Sequence, residues 1–100
     1  MTLLNTGQNR LLNGINNMDK TNKTKCACCG FLTLDIDVIS DICPVCFWQK
    51  DFYQEEHIDD SGGPNLVSLR EARENFKSFG AIEERFVNLV RPPKKDEIKE

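Results

Sequence analysis

The residues with the most definite chemistry in this chain are two pairs of cysteines, spaced as C-x2-C-x13-C-x2-C. Each C-x-x-C turn can present two thiolates to one ion, and two such turns supply the four ligands of a tetrahedral Zn²⁺ site. This residue type at this spacing therefore predicts a zinc site. Its predicted ligands are Cys26, Cys29, Cys43 and Cys46.

The fifth cysteine, Cys28, has a different expected role. The pair Cys26/Cys28 has a poorer chelating spacing than Cys26/Cys29, so we expect Cys28 not to be a ligand, although it could exchange with Cys29. A small buried side chain and a sensor thiol are the two alternatives for it. The other interpretations of the two pairs are ordinary reduced thiols, or a redox motif that would require a βαβ unit, which the sequence pattern does not predict.

Chain length and cysteine number favour a metal over disulfides. The chain has 100 residues and five cysteines, an odd number that cannot form a fully paired disulfide framework. A domain of this size buries little surface on folding and often needs an additional stabilising link. Because we find no signal-peptide pattern and no segment of membrane-spanning length, we expect a cytoplasmic protein, where thiols stay reduced and bind metals.

The charge distribution argues against a nucleic-acid partner. The formal net charge is −3, and residues 25–100 hold ten Lys and Arg against fifteen Asp and Glu, which gives −5. Four thiolates around one divalent cation would lower this to about −7. Such a field repels nucleic acid, so a nucleic-acid-binding zinc ribbon is a weaker alternative.

The pattern along the chain predicts a small α+β domain between two tails. Residues 1–24 are rich in Asn and predict a disordered tail, within which Met18 is a candidate natural start. Residues 31–42 are rich in β-branched side chains and place Asp35 and Asp37 in alternation, which predicts two short strands and a turn near residues 35–37. Gly30 provides a permissive backbone after the first cysteine pair, and Pro44 fixes φ inside the second. Phe47 and Trp48 would then cover the metal site.

Two helices are expected after this hairpin. Ser68 and Glu71 have the spacing of a capping box, and Gly80 would end the first helix. A second, shorter helix is expected over residues 82–90, and residues 94–100 form a charged tail. The hairpin would pack against both helices, with three phenylalanines at the join: Phe76, Phe79 and Phe86. A ligand pocket lined by these rings is the alternative to core packing.

The acidic segment 51–60 admits two interpretations. It is a solvated surface, or it is a docking surface for a basic protein, with Trp48, Phe52 and Tyr53 as aromatic anchors. His57 could join a metal site or act as a general base, but a single histidine in an acidic loop is more often solvated. We expect it to be solvated.

Residues 25–93 resemble the cysteine-rich CPCC family of small bacterial proteins. Ala27 stands where the family has proline, a change that removes rigidity but no thiolate. The resemblance implies a metal-binding module and supplies no reaction. Three stretches carry it: Cys26-Ala-Cys-Cys-Gly-Phe-Leu-Thr-Leu-Asp35, Ile42-Cys-Pro-Val-Cys-Phe-Trp48 and Gly63-Pro-Asn-Leu-Val-Ser-Leu-Arg-Glu-Ala-Arg-Glu-Asn-Phe-Lys-Ser-Phe-Gly80.

These observations favour a small cytoplasmic protein with a structural Zn²⁺ ion and a protein partner. We expect no enzyme, because four cysteines leave the metal no open position for a substrate or water. No membrane partner and no small-molecule substrate are expected either. An immunity or inhibitor protein that neutralises a basic bacterial toxin is the alternative.

Overall fold

A two-stranded antiparallel hairpin followed by two α-helices forms the framework of residues 22–98, the part of the chain that the computed structural model describes. The strands are β1, Lys23–Lys25, and β2, Leu32–Asp35; the helices are α1, Phe52–Glu56, and α2, Leu69–Phe79. Single 3-10 turns lie at Glu84–Phe86 and Lys95–Glu97. The predicted α+β class is confirmed. Over residues 1–21, the predicted disordered tail lies outside the described residues.

The hairpin lies across the first cysteine pair rather than between the two pairs. Thr24 pairs with Leu34 and Lys25 with Leu32, and the register shifts between Thr24 and Lys25. The strands predicted within residues 31–42 were therefore misplaced: only β2 falls there, and its partner β1 includes residues that we assigned to the tail. The pairing takes place because the first C-x-x-C turn reverses the chain direction between the strands.

The predicted turn after β2 exists, but it leads into a loop. Val38 donates its amide hydrogen to the Asp35 carbonyl at 3.2 Å. The carboxylate of Asp41 accepts from the Asp35 amide at 2.8 Å and from the Ile42 amide at 3.0 Å. One side chain therefore satisfies backbone donors that a second strand would otherwise have paired.

Helix α2 begins and ends where the sequence predicts. The Ser68 hydroxyl accepts from the Glu71 amide at 3.1 Å, and Gly80 ends the helix with φ of 88°. Leu69 and Ala72 are buried on its inner face. Phe79 was expected at the helix join, but it is the last residue of α2 and 44% exposed, so that expectation is wrong.

The second predicted helix is reduced to the 3-10 turn Glu84–Phe86. The Ile82 amide donates to the Cys46 carbonyl at 2.9 Å, and the Ile82 side chain is buried. The backbone at the start of the expected helix is thus bound to the second cysteine turn, and the hydrogen bonds that follow are of the i to i+3 type, from Phe86 to Glu83 and from Val87 to Glu84.

The loop between the helices is held by a buried amide pair, Gln54 and Asn65. Gln54 Oε1 accepts from the Asn65 backbone amide at 3.1 Å and from its side-chain amide at 3.0 Å. Asn65 in turn binds both backbone polar groups of Gln49, at 2.8 and 2.9 Å. A Cβ atom at Gly63 would lie 3.0 Å from Gln54 Oε1, so glycine is the residue that fits there.

One hydrophobic core joins these elements. Partly buried Phe76 and Phe86 pack against it, in agreement with the expected join. Within residues 22–98 no helix has the length and apolar character needed to cross a membrane. The core comprises Cys26, Leu34, Cys43, Val45, Cys46, Trp48, Leu69, Ala72 and Ile82.

Candidate metal centre

The first C-x-x-C turn is a closed knuckle stabilised by the backbone. The Cys26 amide donates to the Phe31 carbonyl at 2.9 Å, and the Gly30 amide donates back to the Cys26 carbonyl at 2.8 Å. The Cys28 amide points at the Cys26 sulfur, 3.4 Å away. Gly30 adopts φ of 83°, the left-handed conformation for which its glycine was singled out.

The second C-x-x-C turn repeats this pattern atom for atom. The Cys43 amide donates to the Trp48 carbonyl at 2.9 Å, and the Phe47 amide donates to the Cys43 carbonyl at 2.8 Å. The Val45 amide points at the Cys43 sulfur, 3.3 Å away. The two knuckles are therefore equivalent halves of one site.

Phe47 occupies the position that corresponds to Gly30, and it adopts φ of 77°. A left-handed conformation costs a residue other than glycine about 1–2 kcal/mol. Packing offsets this strain, because the Phe47 ring lies 4.4 Å from the Phe86 ring, centroid to centroid. Phe47 was expected to cover the site, and its backbone role was not predicted. The sequence contained a signal for this role, because Gly30 stands at the equivalent position after the first cysteine pair.

The two knuckles bring four sulfur atoms together. The Cys26 and Cys46 sulfurs lie 3.5 Å apart, the Cys29 and Cys43 sulfurs lie 3.7 Å apart, and all four lie within 4.8 Å of one another. These separations are far longer than a disulfide bond of about 2.0 Å. A tetrahedral Zn²⁺ site with bonds of about 2.3 Å has sulfur–sulfur edges of about 3.8 Å. The geometry fits a four-thiolate metal site.

The surroundings of the sulfurs are largely apolar and closed. Cys26, Cys43 and Cys46 are buried, whereas Cys29 is partly exposed. Trp48, which was expected to cover the site, is fully buried in the same core cluster, and its indole N–H donates to Glu55 at 3.0 Å. Water therefore reaches the site mainly from the Cys29 side.

The four thiols cannot all ionise without a cation. Contact with Cys29 raises the pKa of Cys26, and contact with Cys26 raises the pKa of Cys46. The pKa of Cys43 is lowered, first by the hydrogen bond from Cys26 and further by those from the other cysteines and from Thr33. The opposite directions of these pKa shifts reflect the close packing of four thiols, which disfavours more than one negative charge in the cluster. A bound divalent cation supplies the charge that stabilises four thiolates.

The sequence that contains the two C-x-x-C knuckles matches the model of a known protein family. The family model described as "Cysteine-rich CPCC" matches residues 24–97. The chain belongs to the cysteine-rich CPCC family. A comparison with curated proteins finds no match.

Cys28 and His57, the two other residues considered as metal ligands in this CPCC chain, lie outside the group of four sulfurs. Cys28 is partly buried against the core and is not one of the four grouped cysteines. His57 is exposed; its ring is stacked on Tyr53, and Nδ1 lies 2.9 Å from the Tyr53 carbonyl oxygen. The structure therefore does not bring His57 to the cysteines.

The carboxylates of the acidic segment have individual structural partners. Asp51 accepts from the Gln54 amide as the N-cap of α1. Asp59 pairs with Arg70, which lowers the pKa of Asp59. Asp60 accepts from the Tyr53 hydroxyl, which raises the pKa of Tyr53.

Of the three expected aromatic anchors, two are accessible. Phe52 is 74% exposed and Tyr53 is 56% exposed. Trp48 is fully buried, so its assignment as a surface anchor is wrong. Its indole N–H points at Glu55, and this internal hydrogen bond allows the polar end of the ring to be buried.

Only one of the three phenylalanines that were considered for a ligand pocket, Phe86, lines the groove found among the described residues. A shallow groove of about 70 Å³ lies beside Phe86, between Ile42 and Leu66. Phe76 and Phe79 do not line it.

Proposed function

We propose that this CPCC protein is a small cytoplasmic zinc-binding protein in which the ion is structural and which acts as a protein-interaction module. The observation that carries the proposal is the convergence of four sulfur atoms from two equivalent knuckles, all within 4.8 Å. Thiolate sites of this type are stable in reducing surroundings, which supports a cytoplasmic location.

A structural role follows from the ligand number. Four cysteines complete a tetrahedral shell, whereas a catalytic zinc keeps one position for water or substrate. The bound ion supplies positive charge that holds four thiolates together. His57, the single histidine of the chain, is held against Tyr53 and belongs to no group with these sulfurs. The protein is accordingly proposed not to be an enzyme.

The metal assignment predicts one tightly bound Zn²⁺ ion per chain. Four sulfur ligands in tetrahedral arrangement favour zinc or iron over calcium or magnesium. Native mass spectrometry and elemental analysis of protein purified without added metal are expected to give one zinc per chain. A metal-free, folded protein would contradict the proposal, and one iron per chain would correct the identity of the ion.

The exposed face of α1 supports a protein partner with basic side chains. Phe52 and Tyr53 are exposed and consecutive in α1; Glu56 follows Phe52 at the i+4 position of the helix, and Asp60 accepts from the Tyr53 hydroxyl. Aromatic faces bind Lys and Arg through cation–π contacts, and nearby carboxylates attract the same side chains. Exposed aromatic residues with this chemistry are typical of interaction hot spots.

This surface predicts site-specific crosslinking. With a photo-crosslinking phenylalanine analogue at Phe52, we expect one discrete adduct in the source cells, and we expect Glu56→Lys to reduce its yield about tenfold. A tenfold loss corresponds to about 1.4 kcal/mol, and like charges placed opposite each other at an interface cost at least that much. The matched control carries the analogue at Phe79, an exposed aromatic at the end of α2. Equal adduct yields at Phe52 and Phe79 would contradict the assignment of the exposed face of α1 as the partner-binding surface.

The acidic net charge also favours the second candidate, an inhibitor of a basic bacterial toxin. The identity of the Phe52 adduct separates the candidates, since a basic nuclease or other toxic enzyme would select the inhibitor. Nucleic acid is a poor partner for the same electrostatic reason.

A further inference from the structure

Thr33 is a buried polar residue beside the sulfur cluster. It lies in β2 and is 4% exposed. Its hydroxyl oxygen is 2.9 Å from the Cys43 sulfur, and its only other hydrogen-bond contact within the described residues is the Phe31 carbonyl, at a long 3.5 Å. The hydroxyl is therefore directed mainly at the metal site.

The chemistry of the site fixes the direction of this hydrogen bond. When Cys43 binds a metal it is a thiolate, which can only accept. The Thr33 hydroxyl must then donate its single hydrogen to the sulfur. A buried hydroxyl without a partner would cost about 1–3 kcal/mol, so the bond also accounts for a polar group in this position.

The strand geometry explains why Thr33 reaches the sulfurs. Neighbouring residues of a strand point to opposite faces, yet Thr33 and Leu34 are both buried. Both faces of β2 are therefore covered, and the Thr33 face is the one that meets Cys43. Valine would fill nearly the same volume but would supply no donor.

Support from hydrogen bonds is unequal among the four sulfurs. Cys43 accepts from the Thr33 hydroxyl and from the Val45 amide, whereas Cys26 accepts from the Cys28 amide alone. Among the described residues, the hydrogen-bond contacts of the Cys29 and Cys46 sulfurs are to other cysteine sulfurs. Donors to a thiolate delocalise its charge and fix its position.

We propose that Thr33 is a positioning residue of the metal centre, whose hydroxyl holds the Cys43 thiolate in place and makes Cys43 the most firmly retained ligand. This inference rests on the proposed metal-binding function. Cys29, the one partly exposed cysteine of the four, marks the side from which a competing chelator gains access to the ion.

The test compares four variants of the full chain. Thr33→Val and Thr33→Ala remove the hydroxyl with different changes of shape, and Thr33→Ser keeps it. Thr24→Val is the matched control, because Thr24 lies in β1 opposite Leu34 and has no contact with a sulfur among the described hydrogen bonds. Zinc affinity is measured by competition with a chromophoric chelator, and Co²⁺ substitution gives the sulfur-to-metal charge-transfer spectrum.

We expect Thr33→Val and Thr33→Ala to bind Zn²⁺ about tenfold more weakly. This is the lower end of the 10–100-fold loss that is typical when a residue hydrogen-bonded to a metal ligand is replaced. Their Co²⁺ charge-transfer band should shift to lower energy, because a thiolate without its donor is more easily oxidised. Thr33→Ser and Thr24→Val should match the wild type in both measurements.

The outcomes separate this inference from the proposed function. Wild-type affinity and an unchanged cobalt spectrum in both hydroxyl-free variants would overturn the role of Thr33 and leave the metal site intact. Loss of affinity in Thr33→Ser as well would show that shape, not the hydroxyl, is responsible. A wild-type chain that binds no metal would instead overturn the proposed function.

Discussion

Replacement of Cys46 by serine is expected to leave a largely unfolded chain, whereas replacement of Cys28 is not. Binding of a structural zinc contributes on the order of 10 kcal/mol to folding, and the total stability of a small domain is about 5–15 kcal/mol. Cys46 is buried, with its sulfur 3.5 Å from that of Cys26. Cys28 is not among the four grouped cysteines.

The measurement is far-UV circular dichroism with thermal unfolding, at equal zinc concentration, for wild type, Cys46→Ser, Cys29→Ser and Cys28→Ser. Cys28→Ser is the matched control because it removes a thiol from the same knuckle as Cys29. A strong chelator should convert the wild-type spectrum into that of Cys46→Ser. Equal melting of all three variants would contradict the assignment of the ligands.

Loss of the metal should affect the entire described fold, because the knuckles hold the C-terminal half in place. The Cys46 carbonyl accepts from the Ile82 amide at 2.9 Å, and the Pro44 carbonyl accepts from the Arg91 amide at 3.1 Å. On the first knuckle, the Ala27 carbonyl accepts from Arg73 of α2 at 3.0 Å. Each of these bonds joins a later segment to backbone whose position the cysteines determine, so unfolding should be cooperative.

The charged segment after residue 93 also contacts this region. Arg91 and Glu97 form an ion pair with both guanidinium nitrogens at 2.9 Å from the carboxylate oxygens, and Arg91 lowers the pKa of Glu97. The 3-10 turn Lys95–Glu97 thus folds back towards the second knuckle through Arg91. Residues 94–100 were expected to form a charged tail, because a run of charged residues does not reveal which of them form a specific ion pair.

The cysteine grouping and α2 could be predicted from sequence because their signals are local. A C-x-x-C spacing determines the reach of two thiols, and Ser68 and Gly80 act on the ends of their own helix. These features need no knowledge of distant residues. The structure places the four cysteines together and starts and ends α2 at the predicted residues.

The strand positions depended on interactions that the sequence pattern does not contain. Lys23 and Lys25 in β1 have no strand-like character, and they pair because the first knuckle returns the chain alongside them. The more strand-like residues 36–42 lie in a loop whose two ends are joined by Asp41, since its carboxylate accepts from the amides of Asp35 and Ile42. Tertiary context overrides β-propensity in both cases.

The predictions for the aromatic residues were also correct in part. Hydrophobicity predicted that Trp48 lies near the metal site, which is correct, but it did not distinguish a buried ring from an exposed anchor. That distinction depends on Glu55, which lies in α1 seven residues after Trp48. Its carboxylate accepts a hydrogen bond from the indole N–H of Trp48. The left-handed conformation of Phe47 follows from the equivalence of the two knuckles, in which Phe47 holds the position of Gly30.

Trp48→Ala is expected to destabilise the metal-loaded protein by about 3–5 kcal/mol, the usual cost of truncating a fully buried aromatic ring. Trp48 has 0% exposure and packs among the metal-site cysteines in the core. Its loss also leaves the Glu55 carboxylate without the indole donor. Trp48→Phe keeps much of the packing but loses the indole hydrogen bond and part of the buried ring, so its cost should be smaller than that of Trp48→Ala but above the roughly 1 kcal/mol of a hydrogen bond alone.

The measurement is chemical denaturation followed by far-UV circular dichroism at fixed, saturating zinc. Phe52→Ala is the matched control: it truncates an aromatic ring that is 74% exposed, and its effect should stay within about 0.5 kcal/mol. In Trp48→Ala the zinc affinity of the folded state should be close to that of the wild type, since all four thiols are retained. Similar stability of Trp48→Ala and Phe52→Ala would show that the ring contributes no core packing, and the arrangement of β2, α2 and the second knuckle around it would then be wrong.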